Sequence, residues 1–354
     1  MMSRNSTERK RPGHRRRRLI AAVIAVSGLA AACADDNGSS ASGSSAPSRT
    51  VTVYLGRQYG IEPVFKEFTA ATGIEVRFTA GSDPELRERL IAEGANTPAD
   101  VVITADAANI ELAAQADILA PIDSSELAGA IPEELRSPDN LWFGLSRRGR
   151  SVIYSTERVT KAPTTYAAVG DPQWKGKVCL RPSTHPYTQS LVASLIINNG
   201  ADSARAVVES WVANDPLYIN SDTDIYKAVA KGECDVALAN SYYFGRLQTE
   251  DPNFPVAISW AEQQGAGTHI NISAAALTAN APNADAGRQL IEWLATDGQQ
   301  RFADANFEYP ADPSVAVNKL VASWGEFTAD LAAVRQLGAN NAAAVELLSA
   351  AGYE

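Results

Sequence analysis

The stretch VTVYLGRQYGIEPVFKEFTAATGIEVRFTA (51–80) decides the fold. VTVYLG (51–56) alternates as a strand and leaves at a glycine. IEPVFKEFTAA (61–71) sets Val64, Phe65 and Phe68 on one helical face, and IEVRFTA (74–80) returns to alternation. Strand, helix, strand within thirty residues is a parallel crossover unit. Moving outward, SDPELRERLIAEG opens like a capped helix with Pro84 early and stops at Gly94. ADVVIT (99–104) is a third strand, and NIELAAQADI a further helix. Alternation resumes later. KGKVCL (175–180) and CDVALAN (234–240) read as strands, with helical patterns at 189–200, 204–214 and 224–233. INISAAALTANAP (270–282) reads as a strand or link ending at Pro282. The helical stretches after it have no strands of their own to cover, so the chain is expected to return to the first unit. The expected architecture is α/β and bilobal, two doubly wound lobes with a hinge and a central cleft. Lobe 1 takes 50–148 and 270–354, and lobe 2 takes 149–269. Ligands of such sheets bind beyond the carboxyl ends of the strands.

The N-terminus is set apart by charge. Of 31 basic and 41 acidic residues in 354, residues 1–32 hold eight of the Lys and Arg and one acid, Glu8. The rest therefore carries 23 basic against 40 acidic residues, a net of -17 where the whole chain has -10. Such a body is a poor partner for nucleic acid, and none is expected. RKRPGHRRRR (9–18) followed by the short apolar LIAAVIAVSGLAAA (19–32) is the layout of an export signal. Two readings of Cys33 follow: lipidation of the first mature residue, or ordinary cleavage without lipid. AAAC departs from the usual lipid box, with Leu29 one position early. The polar, Ser- and Gly-rich tail at 34–49 suits a tether (33–49) and so the lipid reading. The predicted location is the outer face of the cytoplasmic membrane. Cys179 and Cys234 remain, each beside a strand candidate. Outside the cytoplasm they form one disulfide, or else stay as two buried thiols. G-x-S-x-G, H-E-x-x-H and P-loop motifs are absent from the sequence, which argues against an enzyme.

Tyrosines mark three strand exits. Tyr59 lies three residues past VTVYLG, Tyr187 follows KVCLRPSTHP, and Tyr242 and Tyr243 follow CDVALAN. A phenolate is a hard oxygen donor suited to a hard cation, and Fe³⁺ is acidic enough to displace a phenol proton whose free pKa is about 10. Tyrosines also line clefts for sugars, amines and peptides. The residues by themselves leave both readings open.

LGRQY, TPADVVITADAANI, LWFGLSRRGRSVIYSTERV, DPQWKGKVCLRPSTHPYTQSLVASLI, GECDVALANSYYFGRL and GTHINISAAAL stand in order across 50–320. On these segments the chain resembles the periplasmic iron-binding proteins of bacterial ABC transporters. These are type II ferric-binding proteins, and the likeness is to the tyrosine-rich branch without a required synergistic anion. The resemblance implies Fe³⁺ as the transported ligand, held by Tyr59, Tyr187, Tyr242 and Tyr243. It implies an ABC permease as partner, free iron or a small ferric chelate as cargo, and a monomer. Relatives often carry His just before the first tyrosine. Gln58 stands here, a weaker neutral donor, so water or a small anion is left to complete the shell. Adjacent Tyr242 and Tyr243 are expected on irregular backbone at a strand exit. Arg57 is a candidate to offset phenolate charge, or a surface arginine. Of Arg147, Arg148 and Arg150, one is expected at the cleft and two on the surface, Arg148 being the chosen candidate. Asp106 is a further candidate beside the metal. His185 reads as loop structure, His269 as a structural hydrogen-bonder, Asp222 and Asp224 as helix caps, and the six Trp as packing. The competing function is a binding protein of the same fold for a small organic or anionic solute, held by cleft tyrosines and arginines.

Overall fold

The computed structural model describes residues 49–57 and 59–354; the export signal, Cys33, most of the tether and Gln58 lie outside the described residues. The opening crossover forms as its pattern requires. Strands β1 (Thr50–Leu55), β2 (Glu75–Ala80) and β3 (Val101–Thr104) pair parallel in the order β2-β1-β3. Helix α1 (Ile61–Thr72) buries Ile61, Val64, Phe65 and Phe68. Helix α2 (Asp83–Glu93) starts with a capping box, Ser82 and Glu85 satisfying each other's backbone N–H, with Pro84 in the first turn. Asp106 caps α3 (Ala107–Gln115) by accepting from Asn109 N. The short β4 (Leu119–Ala120) and α4 (Ser125–Ala130) follow.

β5 (Phe143–Ser155) is the longest strand, and the sequence pattern did not mark it. Three arginines interrupt its apolar run, yet Arg148 and Arg150 are buried. The second unit adds β6 (Val178–Leu180), α5 (Pro186–Asn199), α6 (Ala201–Ala213), β7 (Leu217–Tyr218), α7 (Asp222–Lys231), β8 (Val236–Asn240), α8 (Tyr242–Glu250) and β9 (Val256–Ser259). β10 (Thr268–Thr278) is a strand buried along its whole length. α9 (Ala284–Ala295), α10 (Gln299–Asp304), β11 (Tyr309–Pro310), α11 (Lys319–Ala322), β12 (Ala329–Asp330) and α12 (Asn341–Ala350) complete the chain.

Each unit keeps parallel pairs, β1 with β2 and β3, and β6 with β7 and β8. Long antiparallel strands join them. Residues 143–149 of β5 pair with β10, and Arg150–Tyr154 pair with β8. β10 pairs in turn with β3. The architecture is therefore bilobal, with β5 passing from one sheet into the other. Helix α9 returns to the first sheet, packing on β10 and β1. The last helix does not. α12 packs on α5 and α6, Tyr353 Oη donates to Arg181 O at 2.9 Å, and Ser183 N donates to Glu354 O at 2.7 Å. This corrects the grouping of all of 270–354 with lobe 1: an apolar helix face does not encode which sheet it will cover. The tryptophans pack as expected: Trp142, Trp174 and Trp211 are buried, and Trp260, Trp293 and Trp324 each lie against a phenylalanine.

Cys179 on β6 and Cys234 just before β8 are joined by a disulfide, with Cα atoms 5.8 Å apart. It fastens two neighbouring parallel strands across a sequence separation of 55. Replacing both cysteines by serine is expected to cost about 2–4 kcal/mol, read as a lower urea midpoint with a slope that does not fall, since the unfolded chain loses a constraint.

Candidate metal centre

The strand exits converge. Gly56, Arg57 and Tyr59 follow β1; Tyr187 sits in the first turn of α5, after β6; Tyr242 and Tyr243 follow β8. All six line one cavity of about 170 Å³, with Ala105, Arg148, Asn306 and Glu308. Pockets that hold drug-sized organic molecules run to roughly 300–1,000 Å³. This one has room for an ion and a small companion.

Tyr242 and Tyr243 are not on irregular backbone. They open helix α8, and Ser241 before them is already helical, at φ -58° and ψ -36°. In the first turn of a helix two neighbouring rings can both lean toward the cleft, here stacked with centroids 4.0 Å apart. Tyr187 Oη lies 3.3 Å from Tyr242 Oη. Tyr59 reaches in from the other sheet and is 53% exposed. The helix also explains Arg246, which the sequence reading missed. It lies three and four residues after the paired tyrosines, on the same face. Its guanidinium carbon is 3.7 Å from the Tyr59 ring centre, and 5.2 and 5.4 Å from those of Tyr242 and Tyr243.

Positive charge lies beneath the rings. Arg148 is buried, its guanidinium 5.5 Å from the Tyr187 ring centre and 5.9 Å from that of Tyr242. It donates to Ala105 O and, at 3.4 Å, to Ser273 Oγ. Arg57 is buried too, so it is no surface residue. It stacks on Phe302 at 3.8 Å and donates to Phe302 O at 2.6 Å. Burial lowers the Arg57 pKa to about 10, against the pull of Glu308. Burial also works against charge on Arg148, but Glu308, Tyr187 and Tyr242 outweigh it and hold its pKa above the ordinary arginine value. Glu308 answers both arginines. Burial pushes its carboxyl up, and Arg57, Arg148, Ser146 and Asn306 together bring it below the usual glutamate range. Among the described residues, three buried donors, Arg57 Nε and Nη1 and Arg148 Nε, have no hydrogen-bond acceptor. The phenols are pushed the other way. Burial raises Tyr187 against the lowering effect of Arg148. Burial and its tyrosine neighbours raise Tyr242, and burial and Tyr187 raise Tyr243.

The remaining candidates separate. Asp106 does not line this cavity. Its carboxylate accepts from Asn109, from Ser190 Oγ at 2.7 Å and from Asn271 Nδ2 at 2.5 Å, tying α3 to α5 and β10. Arg150 is buried and paired with Asp222 at 3.1 Å, so the expectation of two surface arginines among the three fails. Asp222 is not the helix cap; Ser221 is, and Asp222 accepts instead from Arg150 and from Asn240 N. His185 caps α5 through Nδ1, accepting from Tyr187 N at 3.2 Å, and so orients a cavity tyrosine. His269 is buried, its backbone N–H donates to Tyr166 Oη, and among the described residues neither ring nitrogen has a partner. Among the described residues, no three His, Cys, Asp or Glu side chains gather to hold a metal.

Two α/β sheets sharing a long strand, with strand exits converging on a small charged cavity, define a bilobal solute-binding protein. The chain belongs to the bacterial extracellular solute-binding protein family, whose model matches residues 64–329. Iron uptake protein A1 of Synechocystis is 39% identical over 316 residues, covering 86% of this chain and 87% of that protein. The structure of Trichodesmium IdiA (FutA) in complex with iron and citrate ligands superposes with a TM-score of 0.81 at 36% identity, covering 86% of this chain and all of the other. The ferric binding protein from Campylobacter jejuni gives a TM-score of 0.81 at 31% identity, covering 86% of this chain.

Asp83 borders the site behind Gly56, where an added Cβ would fall 1.7 Å from its Oδ1. Its carboxylate accepts from Ala105 N at 2.9 Å. Burial, then the nearby Asp106, raises its pKa from 3.8 to about 7. The folded chain therefore keeps a proton that the unfolded chain has lost, so stability falls as pH rises from about 4 to about 7. Asp83→Asn is expected to flatten this slope and to melt higher than the wild type at pH 8, measured by thermal denaturation across pH 4–8.

Proposed function

We propose that this protein captures ferric iron outside the cytoplasmic membrane and delivers it to an ABC permease. Tyr59, Tyr187, Tyr242 and Tyr243 are the ligands. The observation that carries the reading is the convergence of four phenols from three chain segments on one small cavity, over buried guanidiniums. Fe³⁺ is a hard cation, and hard oxygen donors suit it. Four phenolates and one Fe³⁺ sum to a charge of minus one. Arg57, Arg148 and Arg246, less Glu308, offset that charge. Water or a small anion fills what the phenols leave. The similarity to iron uptake and ferric-binding proteins supports the same reading.

In this account lobe 1 comprises 50–148 and 270–340, and lobe 2 comprises 149–269 with the C-terminal helix. Iron bridges Tyr59 of one lobe and three tyrosines of the other, and so favours closure. Cys33 carries a lipid anchor, and 34–49 tethers a monomeric body to the outer face of the membrane. The protein is a carrier, with no bond made or broken.

Titrating purified protein with ferric citrate is expected to give a visible phenolate-to-iron band that saturates at one iron per chain. Tyr187→Phe and Tyr242→Phe should each weaken the band and lower affinity at least about tenfold. A folded protein without the band would overturn the ferric reading. The pH dependence has a definite sign. Burial raises the pKa values of Tyr187, Tyr242 and Tyr243 above that of a free phenol, so iron must displace their protons. Affinity is expected to rise with pH, by up to about tenfold per unit for each proton released, as measured by competition with a chelator of known pH behaviour.

A further inference from the structure

Glu308 has no place in the ligand set, yet the charges of the site meet on it. It stands in the turn between α10 and β11 and is 1% exposed. Its Oε2 lies 3.7 Å from Arg57 Nε, and its Oε1 3.9 Å from Arg148 Nη1. Ser146 Oγ donates to Oε2. Asn306 Nδ2 donates to Oε1 at 2.6 Å, while Oδ1 of the same Asn306 accepts from Arg246. Arg148 and Arg246, which lie against the tyrosine rings, and the cavity-lining Arg57 are thus tied to one carboxylate, two directly and one through a single amide. The local backbone is held in place for this. Phe307, between Asn306 and Glu308, takes a left-handed φ of 53°, uncommon for a bulky side chain. Its ring lies so close to α8 that a Cβ on Gly245 would come within 2.5 Å of it. Only glycine lets the turn approach the tyrosine helix this closely.

We propose that Glu308 is the positioning residue of the metal centre. It fixes Arg57, Arg148 and, through Asn306, Arg246 around the phenols, so that no guanidinium takes a phenolate as its own counter-ion. The proposal rests on the tyrosine reading of the site and names what sets that site's strength. Buried guanidiniums repel one another in a poorly screened interior. Without Glu308, Arg148 is left with Asp106 and with Tyr187 and Tyr242, whose oxygens become anionic once iron displaces their protons. A phenolate held by a guanidinium gives less charge to a bound cation. Iron affinity falls, and the charge-transfer band moves to higher energy.

Glu308→Gln keeps the shape of the residue and removes its charge, and Asn306→Ala cuts the arm to Arg246. Both are titrated with ferric citrate beside the wild type and Tyr242→Phe, with near-UV circular dichroism to check the fold. Glu308→Gln is expected to bind one iron at least about tenfold more weakly, with the band displaced to shorter wavelength. Asn306→Ala should show a smaller loss of the same sign, and Glu308→Asp should recover part of both effects. A folded Glu308→Gln with wild-type affinity and an undisplaced band overturns the proposal and leaves the tyrosine site standing. A wild type without any band overturns the tyrosine reading itself. If Glu308→Gln does not fold, Asn306→Ala decides: unchanged affinity and band overturn the proposal.

Discussion

The structure depends on the pairing of strand β5. Its first half hydrogen-bonds to β10 in one sheet, and its second half to β8 in the other. An unbroken strand can change partners in this way because each edge of a strand needs only a matching backbone, whatever side chains it bears. The change of partners falls between Gly149 and Arg150, and it puts Arg148 where the two sheets meet. The β1, β6 and β8 exits are then aimed at the same space. Tyr59 enters from one side, and Tyr187, Tyr242 and Tyr243 enter from the other.

That geometry creates an electrostatic problem before any ligand arrives. Two arginines lie buried under aromatic rings, and a third covers them. Buried charges are tolerated only when paired. Glu308 pairs two of them and reaches the third through Asn306, but three guanidinium donors stay without acceptors. Burial meanwhile favours the neutral form of Tyr187, Tyr242 and Tyr243. Arg57, Arg148 and Arg246 against Glu308 leave the side chains of the site with excess positive charge, a field that favours phenolate over phenol once a cation can replace the proton. Cation binding and phenol ionisation support each other, and neither is favourable alone in this interior.

Much of this was legible in the chain. The first crossover follows from alternation and caps in 51–104, and visible strand ends place Tyr59, Tyr187, Tyr242 and Tyr243 at strand exits, while only the family resemblance implies a ligand role for them. Arg246 was missed for a physical reason. Tyr242 and Tyr243 were read as strand exit, and without the helix their i+3 and i+4 neighbour has no meaning. β5 was missed because three arginines mask its apolar period, and a charge in sequence looks like a surface until its partner is known. Glu308 is out of reach of any local pattern: it meets Arg57 across about 250 positions of chain. Asp222 was taken for a cap because caps are local, whereas its true partners, Arg150 and Asn240, come from other strands. Helix α12 shows the same limit, since its apolar face does not name the sheet it covers.

The central claim is that four tyrosines from both lobes share one ferric ion. A crystal of the iron-loaded protein, with an anomalous difference map collected at the iron edge, tests it most directly. One strong peak is expected in the cavity, within bonding distance of Oη of Tyr59, Tyr187, Tyr242 and Tyr243. A peak held by other side chains, or a cavity without iron in a protein that carries it elsewhere, would contradict the account.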